Sequence, residues 1–402
     1  MAYGTIMGQT PRGGGKRYAT VVVGTSTAGW TTADCDFLCD GTDDQVEIQA
    51  AINQIMPTGG EIKILNGNYN ITDDVNVNPS NSNTGIYFNG NGENTTLSFN
   101  NQKINFHCYS KVGNIFYFNN LGLENCQVNC TDSQEIGFYN CFLTNVYYQG
   151  TSGINLSVKD CYILVKNNTL NDVGFSGGAI FNGSSIIANN IIDIQDTMTT
   201  SYFINLNANN RNNVSNNNVI YSSTSSQEYD FMVVRDGVIS NNCFDNCSIL
   251  GRNSIICGNY FLNGNATVLN TSIFSDNIIE NGMLSVNEFA TISGNTIIQN
   301  QSKPCIEVYK SNNAEEITNA PNITGNICQN GSIGIYLSSP TNSLVTNKAK
   351  KNACITGNTC TNSNPLQIDN NWSDCLITGN MFPNGPITDN GSSNTKANNV
   401  TG

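Results

Sequence analysis

The stretch Ile292-Ser293-Gly294-Asn295-Thr296-Ile297 returns as Ile323-Thr324-Gly325-Asn326-Ile327-Cys328, as Ile355-Thr356-Gly357-Asn358-Thr359-Cys360 and as Ile377-Thr378-Gly379-Asn380-Met381-Phe382. Looser copies run backward at Phe274/Asn277, Ile256/Asn259, Ile239/Asn242, Val214/Asn217 and Ile187/Asn190. Further back Cys takes the Asn position, at Val158/Cys161, Phe138/Cys141 and Leu123/Cys126. Successive copies lie mostly about 15 to 32 residues apart, the spacing of a solenoid with loops of unequal length. Each copy is too short to bury its own apolar face, so neighbours must stack. The flanking residues alternate apolar and polar, as strands do. The apolar residue and the Asn three places later both point inward. An odd separation requires a bend between them, and the Ser-Gly, Thr-Gly or Asn-Asn pair supplies it, because Gly and Asn tolerate left-handed backbone. Stacked inside, the amides can bond to one another and to the turn backbone. A second Asn at +4 (Asn246, Asn263, Asn281, Asn330, Asn362 and Asn384) is expected to close the next corner.

The expected fold is therefore all-β: a single-stranded parallel β-helix with an internal Asn ladder continued by Cys in its early rungs. Coils about 4.8 Å apart, a dozen or more of them, make a rod on the order of 60 Å long. The repeat does not fix its hand.

The 402 residues could fill two ordinary domains, but the repeat argues for one solenoid. Charged residues are only 12% and Asn is absent before Ile52, a bias that suggests disorder until the 38% hydrophobic content and its regular placement are considered. A net charge of −13 disfavours a nucleic-acid partner. No apolar run reaches the length of a membrane span, and the first twenty residues lack the apolar core of a signal peptide, so synthesis in a cytoplasm is expected, with any exit by another route. Of the fifteen Cys, those in inward positions read as small apolar residues. Cys35 and Cys39 could form a bridge or a metal pair, but no second Cys/His pair at zinc spacing follows and His107 is the one histidine. No metal or cofactor is expected.

Residues 1–17 read as a flexible arm, 18–70 as an N-terminal cap of strand, loop, amphipathic helix and first coil, and 71–402 as the β-helix. The helix follows Asp40-Gly41-Thr42-Asp43-Asp44, carries Val46, Ile48, Ala51, Ile52 and Ile55, and stops at Pro57-Thr58-Gly59-Gly60. Asp43 and Asp44 are read as its caps. A helix there covers the open end of the solenoid.

This stretch, DGTDD…IQAAIN…GGEIKILNGNYNI over residues 40–71, resembles the N-terminal cap and first coil of the pectate-lyase-like superfamily of right-handed parallel β-helices, which includes phage tailspikes, pectate lyases and polygalacturonases. With the Asn ladder, the resemblance covers most of residues 18–402. The short MAYGTIMGQT start is similar to those of phage or prophage tail-associated proteins. The resemblance implies a right-handed helix, a location on a virion tail or outside a cell, a cell-surface polysaccharide as partner, a homotrimer, and attachment to other tail proteins through the N-terminal arm. No separate C-terminal trimerisation module is legible. Polygalacturonase motifs are missing: His107 sits in Asn-Phe-His-Cys and no Arg-x-Lys exists. Pectate lyases use a basic residue, usually Arg, leaving Arg211, Arg235 and Arg252 to serve. Tailspike glycosidases use two or three carboxylates without a fixed motif.

The richest charged stretch in the repeat region is Gln227 to Asp236. We take Glu228, Asp230 and Asp236 as catalytic candidates, with Arg235, Asp193, Asp196, Tyr229 and Tyr202 as substrate-binding candidates. Asp193, Asp245 and Glu280 share the +3 position on the outward parity. Glycoside hydrolysis needs two carboxyls about 5–9.5 Å apart, one with a raised pKa. Tyr147, Tyr148, Phe203 and Tyr221 are further candidates for stacking on sugar rings. The expected function is recognition of a polysaccharide, with its hydrolysis one outcome. A non-catalytic structural or adhesive rod and a lyase acting on uronate polymers are the alternatives.

Overall fold

The computed structural model describes residues 19–79, 84–107, 114–131, 135–150, 155–165, 174–177, 185–195, 203–206, 212–222, 230–287, 289–309, 321–338 and 350–402. Every strand pairing among them is parallel, and each strand pairs mainly with its counterpart one coil away, as in Ile273–Ser275 against Thr291–Ser293 and Ile278–Glu280 against Thr296–Ile298. The chain is a right-handed parallel β-helix, the hand that connections between parallel strands overwhelmingly adopt. Three strands make a typical coil. A first face holds Gly237–Ser240, Ile255–Cys257 and their successors; a second holds Cys243–Asp245 and Tyr260–Leu262; a third holds Ser248–Arg252 and Ala266–Leu269. Strands of the first face form one 17-stranded sheet.

The −3 position of the repeat is an unbroken inward column on that sheet. It runs Val21, Ile62, Phe88, Phe118, Phe138, Val158, Ile187, Val214, Ile239, Ile256, Phe274, Ile292, Ile323, Ile355 and Ile377, all paired in register. The expected bend follows two residues later. Gly258, Gly294, Gly325, Gly357 and Gly379 have φ between 64° and 67°, and Asn189, Asn216, Asn241 and Asp276 lie in the same left-handed region.

The Asn that follows each bend is buried from Asn190 to Asn380, half-buried at Asn399, and forms a continuous ladder. Its Nδ2 donates to the Oδ1 of the next rung at 2.8 to 3.1 Å from Asn190 through Asn399. That Oδ1 also accepts the preceding rung's backbone N–H, as Asn326 accepts from Asn295 at 3.0 Å. Nδ2 reaches back to the −3 carbonyl one coil earlier, as Asn295 does to Phe274 at 2.9 Å. The polar atoms that would each cost about 1–3 kcal/mol if buried unpaired are thus bonded on both sides. Cys141 and Cys161 occupy the same column, their thiols donating to the carbonyls of Phe118 and Phe138. Cys126 does not. It pairs with Val146 beyond the next corner, and Leu121 takes the ladder position, three residues after Phe118. Leu123/Cys126 imitates the spacing because that coil has a left-handed Asn125 (φ 49°) just before Cys126, a second bend of the same local chemistry.

Of the +4 residues, Asn246, Asn263, Asn281 and Asn330 are left-handed and close the corner. Asn362 and Asn384 are not; their Nδ2 groups bond to the carbonyls of Gly331 and Thr361 instead.

The helix spans Gln45–Ile55 and buries Ile48, Ala51, Ile52 and Ile55 against the first strands, with Val46 exposed. Asp43 and Asp44 do not cap it in the expected way. Asp44, fully buried, accepts the N–H groups of Gly41 and Asn70, each at 2.8 Å, while Asp43 adopts φ 54° and accepts the Thr72 hydroxyl. The acidic motif ties the helix to the first coil. At the other end, Lys396 replaces the apolar −3 residue and pairs with Asp389 at 2.8 Å.

Candidate functional site

Among the described residues the core is filled mainly by the ladder and by apolar side chains, with a few buried hydroxyls and amides such as Ser254, Ser272 and Asn362, so a ligand is met at outward positions. Side chains alternate in and out along each strand, so outward residues also form columns. From Gly237 onward the first face is dominated by small and apolar groups in this role, with Val238, Ile255 and Ile273 at one position and Ser240, Cys257, Ser275, Ser293, Thr324, Thr356 and Thr378 at the other, whereas its early coils present Glu61, Tyr87 and Tyr117 in one column and Lys63, Asn89, Asn119, Tyr139 and Lys159 in the next.

On the second face the +3 column contains Asp193, Asp245 and Glu280, as the repeat implies. Ile220 and Leu262 lie between them, so each acid is two coils from the next. Tyr260 donates to Glu280 at 3.0 Å, and Asp193 accepts from Gln195 at 2.7 Å.

The third face carries several groups that can bind a polar ligand. Residue 230 opens the strand Asp230–Arg235 and faces Ser248 across a register shift; Arg235, at the other end, pairs with Arg252. Asp236 turns the next corner with φ 51°. Asp230 and Asp236 therefore stand roughly 17–20 Å apart along the chain, and only one of them can flank a given glycosidic bond. Asp193 belongs to the second face. Glu228, Tyr229, Tyr202 and Asp196 lie outside the described residues.

Further along the third face, Glu307, Tyr336 and Gln367 occupy one outward column in successive coils. Tyr336 donates to Asp369 at 2.9 Å, and Gln367 contacts the other carboxylate oxygen at 3.5 Å. Burial, the hydrogen bond to Asp369 and the charges of Asp369 and Glu307 push the Tyr336 hydroxyl up to about 12, so it remains a proton donor at neutral pH. Sequence reading passed over this group because its members lie about 30 residues apart, with loops of unequal length between them. Outward parity on the third face is the signal that links them.

Of the further aromatic candidates, Tyr148, Phe203 and Tyr221 prove to be packing residues, whereas Tyr147 is half-buried and outward, opposite Gln127. Tyr148 and Phe203 are buried, Phe203 stacks on Phe231 at 5.3 Å, and Tyr221 is buried with its hydroxyl unpaired. Inward parity explains Tyr148 and Tyr221, while Phe203 precedes inward Ile204 and is buried through its contact with Phe231.

Among the described residues one cluster has the donors for a cation: Cys39, Asp44 and Glu47, whose ligand atoms lie within 4.8 Å of one another. The Asp44 carboxylate already accepts two backbone N–H groups, the Cys39 thiol points to the Asp44 carbonyl at 3.8 Å, and burial pushes that thiol's pKa far up. The donor set is a folded knot and does not fit an ion. Cys35 and Cys39 are both free thiols, with Cys35 directed at the Thr31 carbonyl. No helix among the described residues is long and apolar enough to cross a membrane.

No family model and no curated protein sequence matches the chain. Solved structures do resemble it in fold. Bacteriophage CBA120 tailspike protein 3 aligns with 90% of this chain and 60% of its own, at 11% identity and a TM-score of 0.40. The periplasmic alginate epimerase AlgG aligns over 92% and 91%, at 11% identity and 0.42. PfbA, a surface adhesin of Streptococcus pneumoniae, aligns over 90% and 90%, at 12% identity and 0.33. At such identities the likeness concerns architecture alone.

Proposed function

We propose that the rod recognises a polysaccharide along its third face, as a tail-associated protein acting outside the cell that its phage or prophage infects. The observation that carries this reading is the third face itself. Two neighbouring outward columns run along it, Arg235, Arg252, Leu269, Asn287 and Tyr309 in one and Thr267, Ser285, Glu307, Tyr336 and Gln367 in the other, whereas from Gly237 onward the first face offers mainly small and apolar groups. A repeating polymer laid along the rod would meet a hydrogen-bonding side chain at nearly every rung. Tyrosine contributes an apolar ring and a polar tip, suited to a sugar.

In this reading hydrolysis uses surface carboxylates. Asp230 with Glu228, Asp236 beside Arg235, and Glu307 with Asp369 are the candidate sets, and Asp193, Asp196, Tyr202 and Tyr229 contribute binding. The homotrimer and the attachment of residues 1–17 to other tail proteins belong to the same proposal.

The test is incubation of the full chain with capsule or wall glycan from candidate hosts. New reducing ends without the ultraviolet absorbance of an unsaturated uronate support hydrolysis. Unsaturated products assign a lyase, and binding without products assigns an adhesin. Absence of binding to any host glycan overturns the proposal. Separate Asp230→Asn, Asp236→Asn, Glu307→Gln and Asp369→Asn variants then identify the working set: loss of one member of a true acid pair lowers turnover by roughly a hundredfold or more, and variants elsewhere leave it unchanged.

A further inference from the structure

One pair of side chains on the third face bears on the chemical class of polysaccharide that fits there. Arg235 and Arg252 are direct partners on adjacent coils, so their side chains leave the third face about 4.8 Å apart. They stand out in a chain of net charge −13. Among the described residues neither guanidinium forms an ion pair, even though Asp236 adjoins Arg235 in sequence. The Nε of each is buried without a hydrogen-bond partner. The same outward column continues through Leu269 to Asn287, whose Oδ1 is also buried and unpaired.

Two like charges one rung apart repel, and an unpaired buried donor on each adds to the cost. A fold that only needed to cover this edge could use the residues it uses one coil on, where Leu269 occupies the position. An anion between the guanidiniums removes the repulsion, and the planar fork of each matches a carboxylate or sulfate in two-point contact. A side chain that swings toward such an anion also frees its Nε for bonding.

We propose that Arg235 and Arg252 form a two-guanidinium clamp for the anionic substituent of an acidic sugar, so that the polysaccharide bound on the third face carries carboxylate or sulfate groups. The inference rests on the polysaccharide reading. Asn287, two coils further, is placed to bind a hydroxyl of a following residue in the same polymer.

The experiment measures binding of tetragalacturonate and of dextran sulfate oligosaccharide, with cellotetraose as the neutral control, by calorimetry on the full chain at fixed ionic strength. The wild type is expected to bind at least one acidic probe, more weakly as salt is raised, and to bind cellotetraose at least tenfold less tightly. R235Q and R252Q each lose about tenfold in affinity, the double variant loses binding, and R235K/R252K, which keeps charge but not the fork, falls between. Thermal unfolding without any anion supplies a control for folding. The Gln variants unfold at the same or a higher temperature, because a repulsion is gone, whereas a purely structural role would lower it. Equal binding of acidic and neutral probes, no binding of either acidic probe, or unchanged affinity in the double variant overturns the clamp. The broader reading fails separately: if the double variant still binds host glycan as the wild type does, the glycan reading stands without the clamp, and if the wild type binds no host glycan, that reading itself falls.

Discussion

The early and late rungs of the rod solve the same geometric problem with different chemistry. From Asn190 to Asn399 the position after the bend holds an amide that bonds to its neighbours above and below. From Phe118 to Cys161 the same position holds Leu121, Cys141 and Cys161, which contribute packing and thiol contacts to carbonyls. The −3 column compensates. Phe88, Phe118 and Phe138 stack at 4.9 and 5.3 Å with interplanar angles of 13° and 6°, where the later rungs mostly use isoleucine. The lesson is that the turn needs a left-handed residue and a snug inward neighbour, and that an amide ladder is one way to supply the neighbour, aromatic stacking beside a smaller side chain another.

This contrast can be broken at a single rung. Asn295→Ala removes the donor to Phe274 and to Asn326, and strips the acceptor from the N–H and Nδ2 of Asn277. A loss of roughly 3 kcal/mol or more is expected in urea unfolding, because buried groups on both neighbours are left unpaired. Leu121→Asn tests the converse. An amide placed between an aromatic rung and Cys141 finds no continuing ladder, and about 2 kcal/mol is lost. Cys161→Ala in the same column costs about 1 kcal/mol, since it deletes only a small apolar group with a weak donor. If Cys161→Ala cost as much as Asn295→Ala, the two halves would not differ as described.

The smallest expected effect lies at the last rung. Burial alone would raise the Asp389 carboxyl, but the bonds it receives from Lys396, Asn394 and Gly391 outweigh that and hold it below the ordinary carboxylate value. A depressed pKa in the folded state supplies stability that is present above the ordinary value and is lost as pH falls through the lowered one. Acid titration below about pH 4 should therefore loosen this rung in the wild type, and Asp389→Asn should flatten that dependence. Protection of amide hydrogens in residues 395–401 is the readout.

The fold was legible in the sequence because its signal is local and repeated. One inward residue, one left-handed residue and one amide fall within four positions, and the register of every later coil follows from them. Cys126 was misplaced because a second left-handed Asn precedes it, and local spacing does not distinguish the corners. The helix was legible as a helix, but the role of Asp44 was not: its partners Gly41 and Asn70 belong to different segments of the chain. The site was least legible. Outward parity correctly put Asp193, Asp245 and Glu280 in one column, yet apolar residues separate them, and the third-face group of Glu307, Tyr336 and Asp369 depends on loop lengths that no local pattern reveals.

The amide column also gives the rod a sense of direction. Each Oδ1 accepts from the rung before it and none from the rung after, so side-chain dipoles from Asn190 to Asn399 point the same way along the axis. Hydrogen bonds arranged head to tail polarise one another. The column therefore makes its two ends electrically distinct: amide donors are directed toward Asn399 and side-chain oxygens toward Asn190.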